Sequence, residues 1–222
     1  MSLSMKEAIY TRHTVRQYKK KAIPQPILDK LSKRIEQVNQ TYNTKISLKC
    51  DQKDGLFLPL RYVIAKNAIN YMILASDDRI RADENIGEAS ADLMLYVQTL
   101  GLNTWWIGGT WNHKKVKTQA QADHVIGILV FGYGETSGKP HPSKNSREVS
   151  LYEGKEPDWF RKGVDAALLA PTALNKQNFF LQGKGDEVSI HTKEAAFSLA
   201  DQGIVRYFFE LGAGKDNFKW IY

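Results

Sequence analysis

Two arginines flank a threonine near the start of the chain, in the segment Arg12-His13-Thr14-Val15-Arg16. Forked guanidinium donors and a hydroxyl group within so short a span suit the binding of a phosphate dianion. The same five residues are also compatible with the exposed start of a helix or strand. The pattern therefore needs support from other parts of the chain before it indicates a site.

Two further segments have residue types that suit a bound ligand. Residues 170–177 read Ala-Pro-Thr-Ala-Leu-Asn-Lys-Gln, and the amide of Asn175 offers both a donor and an acceptor. Residues 100–109 read Leu-Gly-Leu-Asn-Thr-Trp-Trp-Ile-Gly-Gly. Because Gly108 and Gly109 lack side chains, a ligand can approach their backbone closely.

Together the three segments resemble the FMN-dependent nitroreductase family, in an internally duplicated form that looks like a fused pseudo-dimer. Members of that family are typically homodimers whose FMN lies at the interface and contacts both subunits. The resemblance implies an FMN-dependent oxidoreductase that takes hydride from NADH or NADPH onto flavin N5. A small acceptor, such as a nitroaromatic or a quinone, is then reduced in the same pocket by a ping-pong mechanism.

The resemblance also assigns the cofactor-binding residues. The N-terminal motif would hold the phosphate and the polar edge of the ring through Arg12, His13, Thr14 and Arg16. Lys144 and Arg147 would form a second phosphate-binding pair, although their spacing differs by one residue from the family's Lys-x-Arg; a solvated basic loop is the alternative. The remaining predicted contacts are Ile107, Gly108, Gly109, Pro171, Thr172, Ala173 and Asn175.

No side chain is assigned a covalent catalytic role, because flavin N5 does the chemistry and the backbone of Gly108 and Gly109 assists it. Gln177 is expected to brace its loop. Many relatives have an acidic residue near the position of Gly108, and this chain does not. None of the five histidines has metal-ligand spacing to another or to Cys50, so no metal site is expected.

Alternating helices and strands would position these segments. Pro24 and Pro26 can begin a helix that runs to about Asn39, and residues 84–100 have the apolar spacing of a long helix closed by Gly101. Residues 70–76 and 124–131 are short apolar runs typical of buried strands. Residues 139–147 contain two prolines and no periodicity, which predicts an extended arm.

A second round of elements begins near Trp159. Ala200, Tyr207, Leu211 and Gly212 echo Ala89, Tyr96, Leu100 and Gly101, although two core helices can share such a pattern by chance. The Ala-Pro-Thr loop occurs only in the second round, and the arginine motif only before the first. We therefore expect one domain with halves of about 5–155 and 156–222 and a single flavin site. Its expected fold is α+β, a three-layer α/β/α sandwich with a mainly antiparallel central sheet.

Bulk properties limit the other possibilities. The 222 residues carry a net charge of +7, but the lysines are scattered and no recognition-helix motif accompanies them, so we expect no nucleic-acid partner. No apolar run is long enough to span a membrane, and the single cysteine favours a cytoplasmic protein. The chain could be a monomeric pseudo-dimer or a homodimer. The rival prediction is a flavin-binding or regulatory protein with little turnover, its pocket closed to nicotinamide by Trp106 or Phe179.

Overall fold

The computed structural model describes residues 3–57, 63–77 and 80–221. Their helices are α1 (Met5–Thr11), α2 (Gln25–Tyr42), α3 (Ala82–Thr99), α4 (His113–Gln119), α5 (Ser146–Val149), α6 (Asp158–Ala167) and α7 (Ser198–Ala213). Their strands are β1 (Ser47–Lys49), β2 (Tyr71–Ser76), β3 (Asn103–Ile107), β4 (His124–Gly132), β5 (Ser150–Glu153), β6 (Phe179–Lys184), β7 (Glu187–Thr192) and β8 (Lys219–Trp220). The predicted α+β class is confirmed. Within the described ranges, no helix has the length and apolar character needed to cross a bilayer.

The strands form two separate four-stranded sheets, where the sequence suggested one central sheet. The first has the order β1-β2-β4-β3 and is antiparallel throughout. The second has the order β5-β6-β7-β8, with parallel pairs at both edges and an antiparallel pair in the middle. Strand β5 precedes residue 156 in the chain but pairs with β6, so the second sheet includes a segment from before the expected midpoint.

The principal helices and strands lie close to their predicted positions. Helix α2 begins beside Pro24 and continues three residues past Asn39, until Asn43 takes a left-handed conformation with φ 51°. Helix α3 is closed as expected by Gly101, whose φ is +76°. The predicted arm at 139–147 is extended except at its end, where α5 begins.

The Leu-Gly pair at 211–212, which echoes the pair at 100–101, does not end the last helix. Helix α7 continues through Gly212 to Ala213, and the left-handed residue is Gly214, with φ +82°. Gly212 is instead a packing residue, because a Cβ added there would lie 2.4 Å from the carbonyl oxygen of Lys162 on α6. The Leu-Gly pair at 211–212 therefore serves helix packing, whereas the pair at 100–101 ends a helix.

The first sheet is buried on both faces, which explains why every residue of β2 is buried. Met72 and Leu74 pack with α2 and α3, while Ile73 and its neighbours on the other face pack with Val15 and Trp111. The second sheet is covered on one face by α6 and α7, through side chains such as Leu181 and Phe208. Alternate residues of β6 point to solvent, as period-two geometry requires for a sheet covered on one face.

Helices α3 and α7 join the two halves by backbone contact at two glycines. A Cβ added to Gly87 would lie 2.2 Å from the carbonyl oxygen of Ala200, and one added to Gly203 would lie 2.1 Å from the carbonyl oxygen of Glu84. Both distances are far below van der Waals contact, and the obstructing atoms belong to backbone. Only glycine at both positions allows this separation of the helices.

We expect Gly203→Ala to lower the free energy of unfolding by about 1–3 kcal/mol, because the added methyl group must push α7 away from α3. Denaturant titration of the purified variant measures this change. Gly109→Ala is the matched control, since a Cβ there meets nothing within 4 Å, and it should change stability by less than about 1 kcal/mol. Equal stability of both variants and wild type would contradict the close crossing.

Candidate functional site

A cavity of about 960 Å³ lies where segments from both ends of the chain meet. Its wall combines the N-terminal segment, the end of β3 with the two glycines after it, the loop at 171–178 and the first turn of α7. Ten of the thirteen predicted cofactor-binding residues line it: Arg12, Thr14, Arg16, Ile107, Gly108, Gly109, Pro171, Thr172, Ala173 and Asn175. The structure therefore brings together the segments that were matched separately in the sequence.

The N-terminal segment meets the cavity with alternate side chains. Arg12 has extended backbone angles and Thr14 forms a parallel bridge to Thr104 of β3, so successive side chains point in opposite directions. Arg12, Thr14 and Arg16 line the cavity, while Val15 is buried in the core beneath the first sheet. His13 is absent from the cavity lining, and its Cβ lies against Gly138. Predicting all residues of the motif except Val15 as ligands ignored this alternation.

Arg12 is a buried cation without an ion-pair partner among the residues that the structure describes. Its exposure is 3%, and its Nε atom has no hydrogen-bond partner. Burial lowers the pKa of Arg12 to about 10, which still leaves the guanidinium charged at neutral pH. Arg16, in contrast, is exposed and stands 5.5 Å from the centroid of the Trp105 ring. A buried unpaired guanidinium in a cavity wall is a site for an anion.

Gly108 lies in tight surroundings at the end of β3. A Cβ added there would be 2.6 Å from the Phe197 ring and 2.8 Å from the Trp106 ring. Its carbonyl oxygen accepts a hydrogen bond of 2.6 Å from the Trp111 indole. The backbone of Gly108 therefore lies beneath an aromatic ring, and a side chain at this position would require the Phe197 or Trp106 ring to move.

Three non-glycine residues of the 171–177 loop have left-handed backbone angles: Leu174 (φ 53°), Asn175 (φ 55°) and Gln177 (φ 47°). Such a conformation is costly for residues with a Cβ and needs support from surrounding hydrogen bonds. Gln177 is 1% exposed; its side-chain amide donates to the carbonyl oxygen of Leu168 at 2.8 Å, and its backbone N–H donates to the Thr172 hydroxyl at 3.0 Å. Gln177 thus braces the loop, as expected.

Asn175 has one half of its amide free for a ligand. Its Nδ2 donates to the carbonyl oxygen of Pro142 at 2.8 Å, while its Oδ1 is buried with no partner in the described part of the chain. Buried polar atoms are normally hydrogen-bonded. The amide oxygen is consequently an acceptor available to the donor of a bound group.

Lys144 and Arg147 do not line the cavity, so the structure does not place them where the predicted second phosphate-binding pair would be. The backbone N–H of Lys144 donates to Gln177 Oε1 at 2.8 Å, and its Nζ donates to the Gln177 carbonyl oxygen at 2.9 Å. Arg147 is exposed on the short helix α5. The proline-containing arm passes the cavity earlier, and its basic residues there are Lys139 and His141.

Lys139, His141, Phe197 and Asp201 are among the lining residues that the sequence did not predict. Lys139 and His141 could have been found from the alternation of an extended arm, because they are two residues apart. Phe197 and Asp201 gave no such signal, since α7 reaches the cavity through its packing on α3. Of the tryptophans, Trp105 and Trp106 line the cavity, whereas Trp111 lies outside it and stacks on His113 with ring centroids 3.9 Å apart.

Comparison with known proteins identifies the family. A family model described as "Putative TM nitroreductase" matches residues 4–213. The chain belongs to this nitroreductase family. Nitroreductases are oxidoreductases, so the family membership makes the chain an oxidoreductase. No curated protein shows significant similarity to it.

Solved structures of nitroreductase-family proteins share the fold. A putative nitroreductase from Thermotoga maritima is 20% identical, with a TM-score of 0.66 over 97% of this chain and 86% of that one. A putative NADH dehydrogenase/NAD(P)H nitroreductase from Bacteroides thetaiotaomicron is 16% identical, with a TM-score of 0.54 over 65% of this chain and 95% of that one. A putative NADH oxidase from Clostridium acetobutylicum is 18% identical, with a TM-score of 0.50 over 64% and 96%. About a third of this nitroreductase chain therefore lies outside the match to each of the latter two proteins.

We expect Arg12→Met to raise the free energy of unfolding of the ligand-free protein by about 1–3 kcal/mol, because it removes a buried charge that has no counter-ion. Thermal and denaturant unfolding at pH 7 measure the effect. Arg16→Met is the matched control and should change stability by less than about 1 kcal/mol, since Arg16 is exposed. A destabilised Arg12→Met protein would mean that the guanidinium has a stabilising partner.

Proposed function

We propose that this nitroreductase-family chain is an FMN-dependent NAD(P)H oxidoreductase with one flavin site. The observation that carries the proposal is the pair of unsatisfied polar groups in one cavity: the buried, unpaired guanidinium of Arg12 and the buried amide oxygen of Asn175. A phosphate would neutralise the first, and a donor at the edge of a flavin would satisfy the second. The residues present therefore fit FMN.

Arg12, Thr14 and Arg16 would hold the phosphate and the polar edge of the ring. Lys139 lines the same cavity and adds positive charge to it, and His141 lies in the same wall. The backbone of Ile107 to Gly109 would lie along the ring, with Gly108 and Gly109 permitting close approach. Pro171, Thr172, Ala173 and Asn175 would contact the ring system from the loop on the other half of the chain.

When bound, FMN supplies the hydride chemistry that none of the twenty side chains provides. The chain's own residues bind it, orient it and exclude water. Trp105, Trp106 and Phe179 line the cavity and give it apolar walls. Cys50 lies outside the cavity, and burial and the nearby Asp51 raise its pKa to about 11, so its thiol is not an activated nucleophile.

The names of similar proteins support a nicotinamide donor. The Bacteroides thetaiotaomicron protein is described as an NADH dehydrogenase/NAD(P)H nitroreductase and the Clostridium acetobutylicum protein as an NADH oxidase. We propose NADH or NADPH as the electron donor and a small acceptor, such as a nitroaromatic or a quinone, reduced by ping-pong hydride transfer. The enzyme would act in the cytoplasm.

We also propose that the chain is an internally duplicated pseudo-dimer, with halves of about 5–155 and 156–222. The arrangement of the cavity supports this, because Arg12 and Gly108 belong to one half and Asn175 to the other. A fused pair of this kind needs no second copy to complete its flavin site, and it could be a monomer or could pair again.

Phe197 favours a second candidate, a flavin-binding or regulatory protein with little turnover. Its ring would lie within 2.6 Å of a Cβ at Gly108, so it covers the backbone along which the flavin ring is proposed to lie. Trp106 packs edge-on against it, with ring centroids 5.7 Å apart. If Phe197 stays in place when flavin is bound, nicotinamide would be kept out.

The two candidates are separated by the visible absorption spectrum of the protein after reconstitution with FMN and desalting, followed by anaerobic addition of NADH or NADPH. Retained flavin that bleaches supports the oxidoreductase and identifies its donor. Retained flavin that stays yellow supports the binding protein. A folded protein that retains no flavin contradicts both.

We expect Arg12→Ala to weaken FMN affinity by about 10- to 100-fold and Asn175→Ala by about 3- to 10-fold, the ranges for losing a charged and a neutral hydrogen bond. Titration of ligand-free protein with FMN, followed by flavin fluorescence, measures both. Arg147→Ala and Cys50→Ser serve as controls and should leave affinity unchanged, because neither residue lines the cavity. Unchanged affinity in both Arg12→Ala and Asn175→Ala would exclude a site shared by the two halves.

A further inference from the structure

Asp201 is the only acidic side chain among the described residues that line the cavity. It stands in the first turn of α7, and both of its carboxylate oxygens accept the backbone N–H of Ala173, at 3.0 and 2.9 Å. The bond spans 28 residues of sequence and joins a helix to the loop that carries Asn175. Asp201 lies outside the three motif segments at residues 12–16, 100–109 and 170–177.

The loop needs such a restraint. Leu174, Asn175 and Gln177 have left-handed backbone angles, so the chain would relax to other conformations if it were released. On the side away from α7, Gln177 and Lys144 hold the end of the loop. At its start, the N–H of Ala173 is the group that Asp201 holds.

The anchor itself cannot shift easily. Asp201 is two residues from Gly203 and one from Ala200, the two points at which α7 touches the backbone of α3. The backbone N–H of Asp201 donates to the carbonyl oxygen of Phe197, the residue just before this helix, at 2.8 Å. Asp201 is thus fixed by the helix crossing, and its hydrogen bond holds the start of the loop relative to the two helices.

We propose that Asp201 is a positioning residue, which holds the 171–177 loop in its ligand-binding conformation through the Ala173 N–H. Asp201 acts by accepting a hydrogen bond and not by touching the reacting atoms. The identity of the ligand, FMN, rests on the function proposed above; the positioning of the loop does not.

The ionisation of Asp201 provides a direct probe of its hydrogen bond to Ala173. Burial raises the pKa of Asp201 to about 7, against the opposing effect of the hydrogen bond from Ala173. The other charged or titratable groups of the cavity are Arg12, Arg16, Lys139, His141, Lys176 and Lys193. Because these groups share the cavity with Asp201, variants are needed to isolate its contribution.

The experiment compares Asp201→Ala, Asp201→Asn and wild type by amide hydrogen exchange and ¹⁵N NMR of the ligand-free protein, and by FMN titration. Asparagine retains an oxygen that can accept from Ala173, whereas alanine does not. We expect Asp201→Ala to speed exchange of the Ala173 amide by about tenfold or more and to weaken FMN affinity by about tenfold, the scale of a lost hydrogen bond to a charged group. Asp201→Asn should stay within about threefold of wild type in both. Asp165→Ala is the matched control, because it removes an exposed carboxylate of α6. It should change neither the exchange rate of the Ala173 amide nor the FMN affinity.

The ¹⁵N shift of Ala173 should also titrate near pH 7 in wild type and stay flat in Asp201→Asn, a result that needs no alanine variant to fold. An unchanged exchange rate of the Ala173 amide in a folded Asp201→Ala protein would overturn the proposal. So would an Asp201→Asn protein in which the Ala173 amide exchanges about tenfold faster than in wild type, the rate expected for Asp201→Ala. Normal FMN affinity in Asp201→Ala would overturn it too. If wild type binds no FMN, the proposed function fails, and the exchange and shift data alone decide the role of Asp201.

Discussion

The backbone contact between α3 and α7 is the constraint on which the rest of the structure depends. Gly87 and Gly203 allow each helix to touch the other's backbone, and a larger separation would move the two sheets that pack against these helices apart. Helix α3 packs against the first sheet, and α7 packs against the second. Buried polar contacts reinforce the crossing: Arg206 of α7 pairs with Glu84 and Glu88 of α3.

The same crossing extends to α2 through a shared carboxylate. Asp92 of α3 forms a salt bridge with Arg34 of α2 and accepts a hydrogen bond of 2.7 Å from the Tyr207 hydroxyl of α7. Removing one partner from such a buried group leaves the other unsatisfied, so the network specifies the arrangement of the three helices as well as stabilising it. The cavity wall then follows from where α7 begins, because its first turn lies at Phe197 and Asp201.

Several energetically costly features are concentrated at the site. Arg12 is charged, buried and unpaired, the 171–177 loop has three left-handed residues, and Phe197 adds another, with φ 66°. Each of these features costs free energy that the remainder of the fold must offset. Their concentration around one cavity is typical of a functional site, and a bound anion would neutralise the charge of Arg12.

Much of this arrangement could be predicted from the sequence, because the motifs are local. The helix ending at Gly101 and the strand at 124–132 follow from spacing and turn chemistry, and Arg12, Gly108 and Asn175 were identified from short segments. What could not be predicted depends on contacts between distant residues. Gly212 has a packing role only because α6 lies against it. Asp201 lies at the cavity only because α7 packs on α3. The division into two sheets depends on which strand β5 pairs with. A pattern of residue types does not give the direction of side chains, so it could not show that Lys139 and His141 line the cavity while Lys144 and Arg147 do not.

The most direct test of a single flavin site built from both halves of one chain is the binding stoichiometry. Ligand-free protein of known concentration would be titrated with FMN until flavin fluorescence shows saturation, with the mass of the complex measured by light scattering. A single site shared by the two halves predicts one FMN per chain, whether the protein is a monomer or a dimer. Two FMN per chain, one FMN for every two chains, or no binding would contradict it.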